Sequence, residues 1–436
     1  MDALDRRIIA IALPALGSLL VEPVYVLTDT AVVGRLGTVP LGGLALASTV
    51  LNTLVWVFNF LSYGTTVRVA VRRGRSDMAG AAADSLQALW LALAIGTAVA
   101  LVIGLGAHSL LDVLGDDPAV LAQGATYLRI SAIGVPFQFI TLAAIGYLYG
   151  LPDTKRPFIV AAAANGLNLV LELVLVFGFD RGIRGSAWGT VIAQIAAAAA
   201  MLIIVVPRLR RDGLHRLVVM PRVMWEVVKV GAHLVQRTAF LLAALAVATA
   251  TASKVGTAQL AGHQIAAQLF LFLAIGVDMF KVSGQSLVGH ALGSGDRASA
   301  QDIVVHLRRW AWRSGVALTG VVLVLAPVLP MLFSKDADVI HAARVALLIL
   351  AAMQVPAAIT FVFDGVLMGA NDFRDLRWQT TLAFLAALPV FALVYLRPSL
   401  GIGGVWLALL VWMCVRGARN AHRVRGTDWM AGVDRV

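Results

Sequence analysis

Long apolar runs recur along the whole chain, and they decide which solvent it can fold in. Twelve are read at residues 8–34, 42–67, 85–111, 126–150, 158–179, 185–206, 224–252, 259–289, 308–333, 339–369, 378–396 and 401–418. A helix of about 20 apolar residues crosses a hydrocarbon layer of ~30 Å. Of the 436 residues, 60% are hydrophobic and only 14% are charged, where a soluble chain carries about 25% charged residues. The expected fold class is therefore all-α integral membrane, with twelve transmembrane helices. No short apolar segment with a small-residue cleavage site stands apart from the first run, so that run is expected to act as an uncleaved insertion signal. Cys414 is the single cysteine, which excludes an intrachain disulfide and a cysteine metal cluster.

The connecting segments alternate in charge. One set comprises Arg6 and Arg7, residues 68–75, Lys155 and Arg156, residues 207–222, residues 297–313, Arg374 and Arg377, and the end of the chain from Arg416. It carries 24 Lys and Arg, whereas the other set carries six: Arg35, Arg181, Arg184, Lys254, Lys335 and Arg397. By the positive-inside rule the first set faces the cytoplasm, and an even number of spans then puts both termini there. The net charge of +11 is thus read as topology. No basic patch interleaved with aromatics accompanies it, so no nucleic acid is expected as a partner.

The chain repeats itself at an interval of 219 residues, from Gly37-Thr38 to Gly256-Thr257. Leu41 and Gly43 recur as Leu260 and Gly262, Gly146, Gly150 and Asp153 as Gly365, Gly369 and Asp372, and Val135-Pro136 as Val355-Pro356. Two six-helix bundles follow, at 1–206 and 223–420, joined by a basic linker at 207–222 and followed by a cytoplasmic tail at 421–436. Six spans each make them parallel repeats, related by a pseudo-two-fold along the membrane normal; such transporters bind substrate near the midplane and alternate access. The acidic groups are not duplicated: Asp29 corresponds to Ala248, Glu22 to Leu241 and Asp364 to Ile145.

Asp29 is the most demanding of these residues. A carboxylate within a membrane helix costs roughly 2.5–3.5 kcal/mol on insertion scales, so such groups usually handle ions or protons. Glu22 and Asp29 are seven residues apart on one helix face, with Pro23 between them inviting a bend. Asn168 and Glu172 are spaced four apart, as are Thr190 and Gln194, and each pair shares a face. If the first, fifth and sixth spans line one cavity, Asp29, Asn168, Glu172 and Thr190 form an all-oxygen set, which hard cations such as Na+ prefer. Two adjacent carboxylates also share a proton. The same groups can equally join helix to helix, and spacing leaves both readings open. In the second half Asp278 and Lys281 have ion-pair spacing, and Arg237 is a distant partner for Asp364, which has no charged neighbour within a turn.

The segments ALPALGSLLVEPVYVLTDTAVVGRLG, VPFQFITLAAIGYLYGLPDTKRP and VPAAITFVFDGVLMG, with the paired GT-x-x-L-x-G motifs, resemble the multidrug and toxic compound extrusion (MATE) family, most closely its DinF-like branch. The resemblance spans nearly the whole chain. It implies two six-helix bundles around a V-shaped cavity, and export of organic, often cationic, drug-like compounds in exchange for H+ or Na+. The family's N-terminal cation site falls on Asp29, Asn168, Glu172 and Thr190; the family commonly has Asp where Glu172 stands. Other branches carry an acid in the seventh span, where this chain has Gln236 and Arg237. A monomer in a bacterial-type inner membrane is expected, with membrane lipids and small organic substrates as its partners and no cofactor beyond the coupling ion.

Three other readings compete. A lipid-linked oligosaccharide flippase of the same superfamily would favour about fourteen spans and a basic cavity. A major-facilitator exporter would carry a G-x-x-x-D-[RK]-x-G-R-[RK] loop, but Gly64 is followed at the fourth position by Arg68, without the Asp. An integral membrane enzyme would need a nucleophile–base pair or a metal site; there is no H-E-x-x-H, and the eight His are scattered.

Overall fold

A computed structural model describes residues 2–214 and 218–435; residues 215–217 of the expected linker lie outside them. Among the described residues all regular structure is helical. Leu13–Gly231 form one compact unit, and the residues up to Ala12 with those from Ala232 onward form a second.

The first unit contains most of α1 (Ala3–Gly34), then α2 (Thr38–Phe58), α3 (Phe60–Gly74), α4 (Met78–Asp112), α5 (Pro118–Ala132), α6 (Val135–Gly150), α7 (Lys155–Leu173) and α8 (Gly182–Arg211). The second contains most of α9 (Pro221–Val255), then α10 (Thr257–Gly293), α11 (Arg297–Leu325), α12 (Leu329–Phe333), α13 (Ala337–Gly369), α14 (Phe373–Leu396) and α15 (Gly401–Arg425). With α2–α3, α5–α6 and α11–α12 each taken as one path, each unit has six helical paths.

Ten helices or continuous helix pairs are long and apolar enough to cross a bilayer, and the bent pair α5–α6 makes an eleventh. The expected span 308–333 corresponds to α11 with α12. The start of α11 carries Arg297, Arg308, Arg309 and Arg313, which lowers its hydropathy. The span expected at 126–150 is not one straight helix. It consists of α5, capped by the Asp117 carboxylate accepting from the Ala119 N–H at 2.9 Å, and α6, bent from it by 52°. Pro136 has no N–H to continue the helix, and Gly96 of α4 packs against its Cα: a Cβ on Gly96 would lie 2.6 Å from that atom.

The repeat reappears in the helix crossings. A Cβ on Gly43 would lie 2.7 Å from the Gly124 nitrogen, and one on Gly262 would lie 2.7 Å from the Ala343 nitrogen. Gly146 lies against the Ser62 carbonyl as Gly365 lies against that of Lys281, and Gly150 against the Thr66 carbonyl as Gly369 against that of Gln285. Residues 62, 66 and 124 recur 219 positions on as 281, 285 and 343. Glycine therefore sets the same close helix approach in both halves. The N-caps repeat too: Asp77 accepts from the Gly80 N–H at 2.8 Å, and Asp296 accepts from that of Ser299 at 2.9 Å.

Polar groups fasten the helix ends. In the first unit Arg68 and Arg72 share Asp84, Arg68 also reaches Glu226 at 3.4 Å, and Arg208 pairs with Asp153 at 3.0 Å. In the second Arg423 pairs with Asp372 at 2.8 Å. Asp153 and Asp372 are repeat equivalents, and each takes an arginine from the last helix of its own unit. Beyond α15 the chain is not a free tail: Trp429 is 1% exposed, and Asn371 donates to the Gly432 carbonyl at 3.0 Å.

The start of α1 is held on α11. His306 bridges the Asp302 carbonyl at 2.9 Å and the Asp2 carboxylate at 2.7 Å, and Trp310 donates to Asp5 at 3.0 Å. The Asp302 carbonyl, then Asp2, favour the protonated ring and raise the His306 pKa. The Asp5 N–H, then His306, lower that of Asp2.

Two predictions follow from these contacts. Gly146→Ala and Gly365→Ala each remove about 1–3 kcal/mol of stability by overpacking a helix crossing. Gly166→Ala, on an exposed helix face with nothing within 4 Å of its added Cβ, is neutral or gains up to about 1 kcal/mol; thermal melting in detergent distinguishes them. The His306 contact is fully present below the ordinary histidine pKa and is lost as pH rises through the raised folded value. The Asp2 contribution is lost only at acid pH. Amide exchange at residues 3–8, corrected for its intrinsic pH dependence, therefore accelerates between about pH 6 and 8, and His306→Ala removes that change.

Candidate functional site

The first unit gathers oxygen atoms around Asp29. Asp29 lies on α1, 4% exposed, six residues after Pro23, one of two prolines inside that helix. Ser186 of α8 donates to Asp29 Oδ1 at 2.7 Å, and Tyr127 of α5 donates to Oδ2 at 3.4 Å. Thr190, one turn beyond Ser186, exchanges a hydrogen bond with Tyr25 of α1 at 2.9 Å and accepts one from Asn168 of α7 at 3.3 Å. Its own hydroxyl lies 3.2 Å from the Ser186 carbonyl.

Glu172 completes the cluster. It is 0% exposed, and its carboxyl lies within electrostatic reach of Asp29. Neither of its oxygens has a donor in hydrogen-bond geometry, although Asp29 and the Ser186 hydroxyl lie close enough to act on its carboxyl, and the Asn168 carbonyl oxygen has none. Local sequence explains how the helices come so close. Gly185 and Gly189 of α8 face the α7 backbone, where a Cβ would meet the Leu175 carbonyl at 2.8 Å and the Glu172 nitrogen at 3.3 Å. Directly after Glu172 the helix widens into a π-turn, Val174–Gly178, a distortion frequent at functional sites. The result is a buried cluster of acceptors: three oxygen atoms with no donor in hydrogen-bond geometry beside a carboxylate that accepts two hydrogen bonds.

The four residues expected to form one site, Asp29, Asn168, Glu172 and Thr190, are thus brought together. The secondary candidates fall elsewhere. Glu22 is exposed on α1. The Gln194 carbonyl oxygen packs over Gly134 at the α5–α6 bend and has no partner. Asp364 and Arg237 lie in the second unit, 1% and 7% exposed, and are ion-paired with each other. Asp364 also accepts from Arg416 at 2.9 Å and from Asn420 at 2.8 Å.

Sequence reasoning missed Tyr25, Tyr127, Ser186, Arg416 and Asn420. Tyr25 and Ser186 stand four residues before Asp29 and Thr190, so helical spacing could have found them. Tyr127 carries no local signal. Arg416 is counted with the basic loops in the charge tally, but α15 continues past it and it is 1% exposed. Arg68, counted likewise, is 8% exposed on α3.

Comparison with known proteins identifies the family. A family profile described as MatE matches residues 14–174 and 237–396. DNA damage-inducible protein F of Escherichia coli is 28% identical over 98% of this chain and 94% of its own length. Protein DETOXIFICATION 44, chloroplastic, of Arabidopsis thaliana is 28% identical over 97% and 82%. Among solved structures, the Vibrio cholerae MATE transporter VcmN in the bent form aligns with a TM-score of 0.89 at 19% identity, covering 99% of this chain and 98% of that one. The chain is a multi-pass membrane transporter, not an enzyme, and it belongs to the MatE (multidrug and toxic compound extrusion) family.

Proposed function

We propose that this protein is a secondary active exporter of drug-sized organic compounds, driven by antiport with protons through the Asp29 cluster. One observation carries the reading: Asn168 Oδ1 and both Glu172 oxygens are buried acceptors without a donor, next to a second carboxylate. Buried polar groups are otherwise nearly always satisfied, so such a set fits a place where a cation arrives and leaves. A proton on Glu172 turns one of these acceptors into a donor. A sodium ion would need several oxygens drawn to one point, whereas a proton needs one acceptor; proton coupling is therefore the primary reading and sodium the alternative.

In the cycle, a proton from outside enters between Glu172 and Asp29. Its arrival removes the repulsion between the two carboxylates and lets α1, α7 and α8 repack. The changed helix packing opens the way for substrate to leave outward, and proton release to the cytoplasm resets it. Moving one charge through 100 mV supplies about 2.3 kcal/mol, so one or two protons support a gradient of one to a few decades. The basic segments orient both termini to the cytoplasm, in a bacterial-type inner membrane.

Dye efflux from vesicles tests this with an imposed pH gradient and, separately, a sodium gradient. Asp29→Asn and Glu172→Gln insert as monodisperse protein but lose efflux driven by the pH gradient by at least about tenfold, as expected when one of a coupled acid pair is neutralised. Glu172→Asp, which keeps the acid, retains coupling. Efflux by Asp29→Asn equal to wild type contradicts the proposal, and efflux driven by sodium alone selects the alternative. Thr190→Ala changes the cation dependence more than the range of dyes; unchanged dependence removes Thr190 from the site.

A further inference from the structure

The second unit carries a buried charge cluster of the opposite character. Its members are Arg237 on α9, Asp278 and Lys281 on α10, Asp364 on α13 and Arg416 on α15. Lys281 pairs with Asp278 at 2.6 Å. Arg237 and Arg416 both turn to a single oxygen, Asp364 Oδ2, while Oδ1 accepts from Asn420. Asp278 lies within electrostatic reach of Arg416. Among the described residues joined by these contacts, three cations face two carboxylates. Asp364 can neutralise one of its two arginines, and Arg237 Nε is buried without any acceptor.

In a membrane interior an uncompensated cation is costly, and a guanidinium with an unused N–H suits a carboxylate or phosphate. The cluster also has an open side. Side-chain exposure rises from 2% at Asp364 and Arg416 to 8% at Arg237, 9% at Lys281 and 24% at Asp278. The five positions correspond in the repeat to Ser18, Asn59, Ser62, Ile145 and Ala197, none of them charged. The shared scaffold therefore does not require these charges, which belong to the second unit alone.

We infer that this cluster is an anion-binding site, and that the exported compounds carry a carboxylate or phosphate group received by Arg237 and Lys281. The inference rests on the exporter reading for its transport consequence, but not for binding. An incoming anionic group accepts from Arg237 Nε and competes with Asp278 for Lys281. Asp364, held by Asn420 and Arg416 and deeper than both binding residues, fixes the position of Arg237.

Fluorescence polarisation on the full-length protein in zwitterionic detergent tests it, with carboxyfluorescein as the anionic probe and ethidium as the cationic one. Carboxyfluorescein binds more tightly than ethidium. Arg237→Gln weakens its binding about tenfold, and Asp278→Asn, which raises the local positive charge, tightens it about threefold, in line with Coulomb interactions in a poorly solvated site. A purely architectural cluster would not give changes of opposite sign. Ethidium binding in place of carboxyfluorescein, or unchanged carboxyfluorescein affinity in both variants, overturns the inference. So does loss of the probe signal on adding phosphatidylglycerol at a lipid ratio that Arg237→Gln no longer senses, since the site then belongs to an acidic headgroup. Efflux separates the two readings. Ethidium export without carboxyfluorescein export defeats the claim that the exported compounds are anionic and leaves the exporter standing; carboxyfluorescein binding without export of either dye does the reverse.

Discussion

Lipid offers no hydrogen bonds, so every charge and side-chain amide buried within the spanning segments must find its partners inside the helix bundle. That constraint explains why the polar groups occur in clusters. Asp29 takes a hydroxyl on each oxygen, from Ser186 and Tyr127. Asp364 takes two arginines and an amide. At the helix ends Asp84, Asp153 and Asp372 each hold an arginine. Against this background the unpartnered oxygens of Glu172 and Asn168, and the unused Nε of Arg237, stand out as groups awaiting something that comes and goes.

The close approach of helices at glycine makes these clusters achievable. Gly185 and Gly189 bring α8 onto α7, so that Glu172 reaches Asp29, and Gly365 brings α13 onto α10 at Lys281, next to Asp364. The glycines at the α3–α6 and α10–α13 crossings are duplicated; the charges are not. Two copies of one helical framework thus carry different chemistry, an acid-rich oxygen cluster in the first unit and a cation-rich cluster in the second. The proposed exchange of a small cation for a larger solute would use both.

Much of this was legible in the sequence. The apolar runs located the helices because a bilayer demands length and hydrophobicity above all. The four-residue spacings of Asn168 with Glu172 and the order of the repeated Gly, Pro and Asp residues carried directly into three dimensions, and Arg237 does meet Asp364. The rest depended on tertiary contacts. Tyr127 reaches Asp29 across a sequence separation of 98 residues, which no local spacing reveals. Arg416 read as a loop cation because it stands near the end of its apolar run, although α15 continues for nine more residues to Arg425. Its charge is tolerated inside the bundle through Asp364 and the ring of Trp412, 5.0 Å from the guanidinium carbon. Hydropathy counts residues one at a time and cannot register such a partner.

The central claim is that the protonatable acids belong to the first unit, while Asp364 is permanently engaged by its arginines. Infrared difference spectroscopy of the protein in membranes, between acid and alkaline pH, reads protonated carboxyl groups directly. The account predicts a pH-dependent carboxyl band in the wild type and in Asp364→Asn, and its loss in the double variant Asp29→Asn with Glu172→Gln. A band that survives in the double variant and disappears in Asp364→Asn would contradict it.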